Sequence, residues 1–128
     1  MGASSSGETM TRENCLRLLA GADLARVVLS VRALPVALPA RIALSSDGRL
    51  LLASNEEAVV LAARRGDVIS VQIDGLEPDG STWSVMVSGI ASLAVVNEDL
   101  RSSLHDAVEH GATLYAMPLS VLSGQRSR

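Results

Sequence analysis

The sequence predicts a mainly β protein: six antiparallel strands meandering into a closed or partly closed barrel, with small helices plugging its ends. Three observations carry this expectation. Asp47-Gly48 stands between two apolar runs, a strong signal for a hairpin. Residues 68–74 alternate cleanly, with Ile69, Val71 and Ile73 on one face and Ser70, Gln72 and Asp74 on the other. Aromatic residues are nearly absent, with one Trp, one Tyr and no Phe, so the core must come from Val, Leu, Ile and Ala. A chain of 128 residues suits a single domain with a real core.

The elements follow in order. Residues 1–8 read as a disordered tail, and 9–128 as one domain. The first helix is expected over Thr11–Ala20, capped by Thr11, striped by Leu16, Leu18 and Leu19 and stopped by Gly21. Cys15 falls on that stripe and reads as a small buried residue. Strands are expected at Leu24–Arg32, Pro35–Leu44 and Arg49–Ser54. A second helix is expected over Asn55–Arg65, ended by Gly66. It opens with a capping box, in which Ser54 accepts from the N–H of Glu57 and Glu57 reaches back to Ser54. Two more strands follow, Val68–Asp74 and a long Thr82–Val96, with Gly89 as a bulge or bend. A third helix over Asn97–His110, capped by Asn97, leads to a last strand at Thr113–Leu122. The acidic pairs Glu56-Glu57 and Glu98-Asp99 sit at expected helix starts, where carboxylates favour the dipole.

Composition excludes several chemistries. All eleven positive residues are Arg, so Schiff bases, Walker-type loops and Ser-Lys dyads are ruled out. A net charge of −3 and the lack of stacking aromatics argue against a nucleic-acid partner. No apolar run approaches the ~20 residues that span a bilayer, so no membrane partner is expected. The opening residues lack a secretory pattern, and a single cysteine fits a reducing compartment, so the expected location is the cytoplasm. His105 and His110 are five apart, about 140° round a helix, and cannot both ligate from one face. No metal site is expected.

Several stretches together resemble one family. "TRENCLRLLAGADLARVVLSV", "LPARIALSSDGRLLLAS", "DVISVQID", "STWSVMVSGIASL" and "PLSVLSGQR" are similar to successive elements of the FMN-binding split barrels of the pyridoxamine 5′-phosphate oxidase type, in their short single-domain form. The likeness runs from about residue 10 to the C-terminus, and Trp83–Gly89 is its most specific part. It implies a six-stranded, Greek-key-like split barrel. It also implies a homodimer with a cofactor groove at each end of the interface, built by both chains. The implied function is an oxidoreductase, passing a hydride between FMN, or a deazaflavin, and a small-molecule substrate. By position, the cofactor contacts are Pro39, Arg41, Ser54, Asn55 and Trp83; the resemblance names no catalytic side chain. A haem or other pigment in the same groove would have only His105 or His110 as a His ligand.

The departures from the family pattern are specific. FMN-binding members hold the phosphate with an Arg-Thr at the end of the third strand and a Lys in the following helix. This chain has Ala53, Ser54 and Val59 at those positions. The phosphate site is therefore degenerate, and a dimer that kept the barrel and lost the cofactor is the rival expectation, serving as a small-ligand binder or scaffold. Arg41 could replace the lost cations from the neighbouring strand. A two-residue turn at Asp47-Gly48 would set it opposite Ser54, and a four-residue loop opposite Leu52.

Overall fold

The computed structural model describes residues 7–97 and 99–128. Among the described residues three helices, α1 (Arg12–Ala20), α2 (Glu57–Arg65) and α3 (Ser102–Glu109), accompany nine strands. These are β1 (Gly7–Thr9), β2 (Leu24–Val31), β3 (Leu34–Leu44), β4 (Arg49–Ser54), β5 (Val68–Leu76), β6 (Thr82–Ile90), β7 (Ser92–Leu93), β8 (Thr113–Pro118) and β9 (Val121–Ser127). They form one antiparallel sheet in the order β1-β9-β6-β5-β2-β3-β4-β8-β7. The six-strand expectation is corrected to nine, and among the described residues the edge strands β1 and β7 do not pair with each other, so the ladder is not closed.

The three added strands have simple origins. Gly7–Thr9 was assigned largely to the tail, yet it pairs along β9, with Glu8 opposite Arg126; residues 1–6 lie outside the described part. The expected long strand 82–96 breaks after Ile90. β6 lies between β5 and β9, whereas β7 pairs with β8 at the far edge. Gly89 stays in the ladder opposite Ile69, so the bend falls two residues later. The expected last strand likewise splits around Leu119-Ser120, with β8 on β4 and β9 on β6. Both corners carry the chain from one end of the sheet to the other, and that is what curls it into a split barrel. Alternation masks both breaks, because Ala91 and Leu119 are buried at the corners as strand residues would be.

The core explains which strands alternate. Val27, Ile42, Leu50, Leu52, Val71, Val85, Val87 and Met117 point inward, and Cys15 and Leu19 of α1 join them with Val59 and Ala62 of α2. β4 does not alternate because both its faces are covered. Leu50 and Leu52 enter the barrel, while Leu51 and Ala53 lie on the outside beneath α3. A second, smaller core forms there from Ala43, Ala53, Leu100, Leu104 and Leu114. Ala43 and Ala53 are small, so α3 can seat directly on the sheet.

The helix ends depart from the sequence expectation in instructive ways. Thr11 caps α1 as expected, accepting from the N–H of Asn14 at 3.2 Å. α2 starts at Glu57, with Glu56 as its N-cap and no side-chain cap bond. Ser54 Oγ accepts from the N–H of Glu56 at 3.1 Å, so the Ser54–Glu57 capping box does not form. α3 starts five residues after Asn97. Asn97 Oδ1 accepts from the N–H of Asp99 at 3.0 Å, making a turn instead of a cap. The first turn of α3 therefore holds no acid, and Glu98 lies outside the described residues. Arg101 at the N-cap position donates to the carbonyls of Ala20 and Ala22 and pairs with Asp23 at 3.0 Å, which ties α3 to the end of α1. No helix among the described residues is long and apolar enough to cross a membrane.

Candidate functional site at the β3–β4 hairpin and α3

The hairpin register decides where Arg41 sits. Ser45 and Arg49 close the loop, the N–H of Ser45 donating to the Arg49 carbonyl at 2.8 Å, and Gly48 adopts φ +82°. This is a three-residue loop with a left-handed glycine, a conformation that would strain any residue with a Cβ. Ser45 Oγ, Asp47 and Arg49 brace it through a hydrogen bond and an ion pair. Arg41 therefore lies opposite Ala53, midway between the two expected alternatives, Ser54 and Leu52. The shift matters because cross-strand partners share a face. Arg41 and Ala53 stand on the outer face with α3, whereas Ile42 and Leu52 turn to the inner one.

Four of the five candidate residues come together. Pro39, Arg41, Ser54 and Asn55 line a cavity of about 260 Å³, with Leu24, Ala107 and His110 among its other walls. A second cavity of about 600 Å³ is lined by Arg41, Ser102, Ser103, Asp106, Ala107 and His110. The two share Arg41, Ala107 and His110 and so form one groove between the hairpin and α3. Trp83 is not in it. Its ring packs over Gly75, where a Cβ would clash with the indole, beside a separate cavity of about 760 Å³.

The groove is basic at one point. Arg41 is exposed and enters no ion pair among the described residues; the arginines that do are Arg49, Arg101, Arg126 and Arg128. His110 Nδ1 lies 2.8 Å from the Asp106 carbonyl and 3.7 Å from its carboxylate. The carbonyl contact, and then the carboxylate, raise the His110 pKa above its ordinary value. Ser103 Oγ is buried against the groove without a hydrogen-bond partner.

Val59, at the position of the second family cation, is fully buried in the barrel core. Ala53 is buried under α3. His110 was read from sequence as part of a solvated helix face or as a pigment ligand; its place beside Arg41 depends on how α3 packs. The one available signal was Asp106 four residues earlier, which orients the ring. Arg101, which anchors that helix, carried no sequence signal. His105 pairs with Glu109 at 3.4 Å, away from the groove. Among the described residues no three His, Cys, Asp or Glu side chains gather into a metal-binding group.

Comparison with known proteins agrees with this architecture. An uncharacterized protein of Mycobacterium tuberculosis, Rv0080, is 38% identical over 89 residues, covering 65% of this chain; the match spans 58% of that relative's length. Among solved structures, an FAD-binding protein from Mesorhizobium loti superposes with a TM-score of 0.77 at 18% identity, covering 95% of this chain and 99% of the other. The FAD binding protein from Mycobacterium smegmatis gives a TM-score of 0.69 at 17% identity, with 95% and 99% covered. At such identities these two likenesses show the fold. The sequence model of the family described as pyridoxamine 5′-phosphate oxidase matches residues 11–120, and the chain belongs to that family.

Proposed function

We propose that this chain binds a flavin in the groove between the β3–β4 hairpin and α3 and acts as a cytoplasmic, homodimeric oxidoreductase on a small organic substrate. The observation that carries the reading is Arg41, a guanidinium without an ion-pair partner on a groove walled by Pro39, Ser54 and Asn55. Membership of the pyridoxamine 5′-phosphate oxidase family supports a flavin, and two structural neighbours are described as FAD-binding. FMN is the flavin of this reading, with FAD and a deazaflavin as its alternatives.

The residues present fit the phosphate end of such a cofactor. Arg41 offers a planar, always-charged fork for phosphate oxygens. Asn55 supplies amide donors at the mouth of the groove. The start of α2 has no side-chain cap, so its first N–H groups are not consumed by a capping box. When bound, a flavin supplies the hydride chemistry; the chain's own contribution is to bind, orient and exclude water.

The homodimer rests on exposed apolar surface. Leu76, Leu93, Val95 and Val121 stand well out of the surface, Val95 at 86% exposure, and a second copy would cover such residues. The family resemblance implies a cofactor groove built by both chains. The unpaired Cys15 accords with a reducing, cytoplasmic setting. A second reading, a cofactor-free dimer, is favoured by Ala53 and Val59, neither of which can carry the family's cations.

An absorption spectrum separates the two. The purified protein is loaded with excess FMN, and in parallel with FAD and a deazaflavin, then desalted. Retained visible absorbance with saturable stoichiometry is the expected result. A colourless protein after all three would overturn the flavin reading and leave the cofactor-free dimer.

A further inference from the structure

We infer that α3 supplies a second cation to this groove, so that Arg41 and His110 together clamp a phosphate monoester, replacing two cations that the β4–α2 segment has lost. The inference rests on the flavin reading only in naming the phosphate as the flavin's; the clamp itself would hold any small phosphate.

Geometry carries it. Both side chains line both parts of the groove, one from β3 and one from the end of α3. His110 Nδ1 is taken by the Asp106 carbonyl, which leaves Nε2 without a hydrogen bond among the described residues. Opposing strand and helix thus bring a guanidinium and an imidazole with one free nitrogen to the same groove. A guanidinium alone neutralises half of a dianionic phosphate, and a protonated imidazole completes the match. The roof is held firmly enough to do this. Leu104 is fully buried under α3, and Arg101 ties the helix start to α1.

The charged groups facing His110 are few. Asp106 and Glu109 lie on its own helix, and both favour the imidazolium. Arg41 lines the same groove from β3. β4 and the segment before β8 contribute Ala53, Ser54 and Ala112, none of them ionisable. The clamp is therefore switched by pH. His110 is a cation below its raised pKa and loses the charge as pH rises through it, so phosphate binding weakens with rising pH. The phosphate's own second ionisation, near ~6, works in the opposite direction, so a weakening reports the protein. Asp106 limits the effect, since its carboxylate also faces the groove.

The test titrates FMN and riboflavin, which lacks the phosphate, by flavin fluorescence at about pH 6.5 and about pH 8.5. The readout is the ratio of the two affinities. In the wild-type chain the preference for FMN should fall about tenfold between the two values, as for one charge-assisted hydrogen bond. In His110→Gln it should be low and independent of pH, with riboflavin affinity unchanged. A preference that is equal at both pH values, or that changes equally in His110→Gln, overturns the clamp while leaving the flavin reading intact. If neither flavin binds, that reading fails and the clamp is tested by NMR with inorganic phosphate. A saturable shift of the His110 ring signals, abolished in Arg41→Ala, upholds the clamp; no shift overturns it.

Discussion

Two regions of this molecule set arginine beside a cavity and treat it in opposite ways. At the β5–β6 turn, Arg126 pairs with Glu77 at 2.9 Å and Arg128 with Asp79 at 3.6 Å, beside a cavity of about 800 Å³ that also meets Glu8 and Ser81. Asp79 in turn accepts from the hydroxyl and the N–H of Ser81, and these bonds hold its carboxyl below the usual carboxylate range. Both arginines there have an internal carboxylate partner, and these pairs fasten the last strand to the turn. At the β3–β4 hairpin, Arg41 has no such partner, and the carboxylate near it, Asp106, is turned toward His110. A cation that is paired inside the fold is holding structure together. One that lines a groove unpaired is free to meet a ligand, and the size of the cavity does not tell the two apart.

The largest expected effect comes from removing the roof of the second region. Leu104→Ala should destabilise the fold by about 3 kcal/mol, because a fully buried leucine leaves a cavity over Ala43 and Ala53. Urea unfolding measures that loss, and flavin retention should fall with it. Arg101→Ala should cost about 1.5 kcal/mol by unseating the helix start, with three hydrogen bonds lost but the side chain partly exposed. Its flavin affinity should drop less than that of Leu104→Ala, a ranking that titration can reverse.

The paired substitutions Arg126→Met and Arg41→Met sharpen the contrast directly. Arg126→Met should lower stability by about 1 kcal/mol, since it strands Glu77 in a half-buried position, and should leave flavin affinity alone. Arg41→Met should leave stability within about 0.5 kcal/mol and weaken FMN binding. Equal behaviour of the two in thermal melts and titrations would erase the distinction. The smallest effect is a control away from both regions. Arg32 and Ala33 turn the β2–β3 hairpin with φ of 52° and 66°, a left-handed pair normally given to Asn-Gly. Ala33→Gly should raise stability by about 0.5 kcal/mol, the relief of strain outweighing the added freedom of the unfolded chain. It should not touch flavin binding.

The sequence made some of this legible and hid the rest for physical reasons. Local pattern was enough for α1 with its Thr11 cap, for β2 to β5, and for the burial of Cys15, since each depends on neighbours in the chain. The corners at Ala91 and Leu119-Ser120 were hidden because the residues there are buried on both readings. The start of α3 was misplaced because Asn97 satisfies a nearby N–H by a turn as readily as by a cap. Pro39, Arg41, Ser54 and Asn55 are grouped in the sequence by family position alone, and the hairpin between β3 and β4 brings these four to one cavity. The hairpin's register was not legible, because Gly48 in the left-handed region adds the residue that sets Arg41 against Ala53. His110 belongs to the same groove through packing of a helix distant in sequence, held by Arg101 and Leu104. Trp83 was grouped with the others by family position, and within one chain it lies over a different cavity.

We propose the unpaired Arg41 as the residue that makes the β3–β4 groove a flavin-phosphate site. The most direct measurement is an FMN titration of the wild-type protein and of Arg41→Met, with melting temperatures recorded on the same samples. The expected result is saturable binding in the wild type, a loss of about tenfold or more in the variant, and superimposable melts. Equal FMN affinity in two equally stable proteins would contradict it.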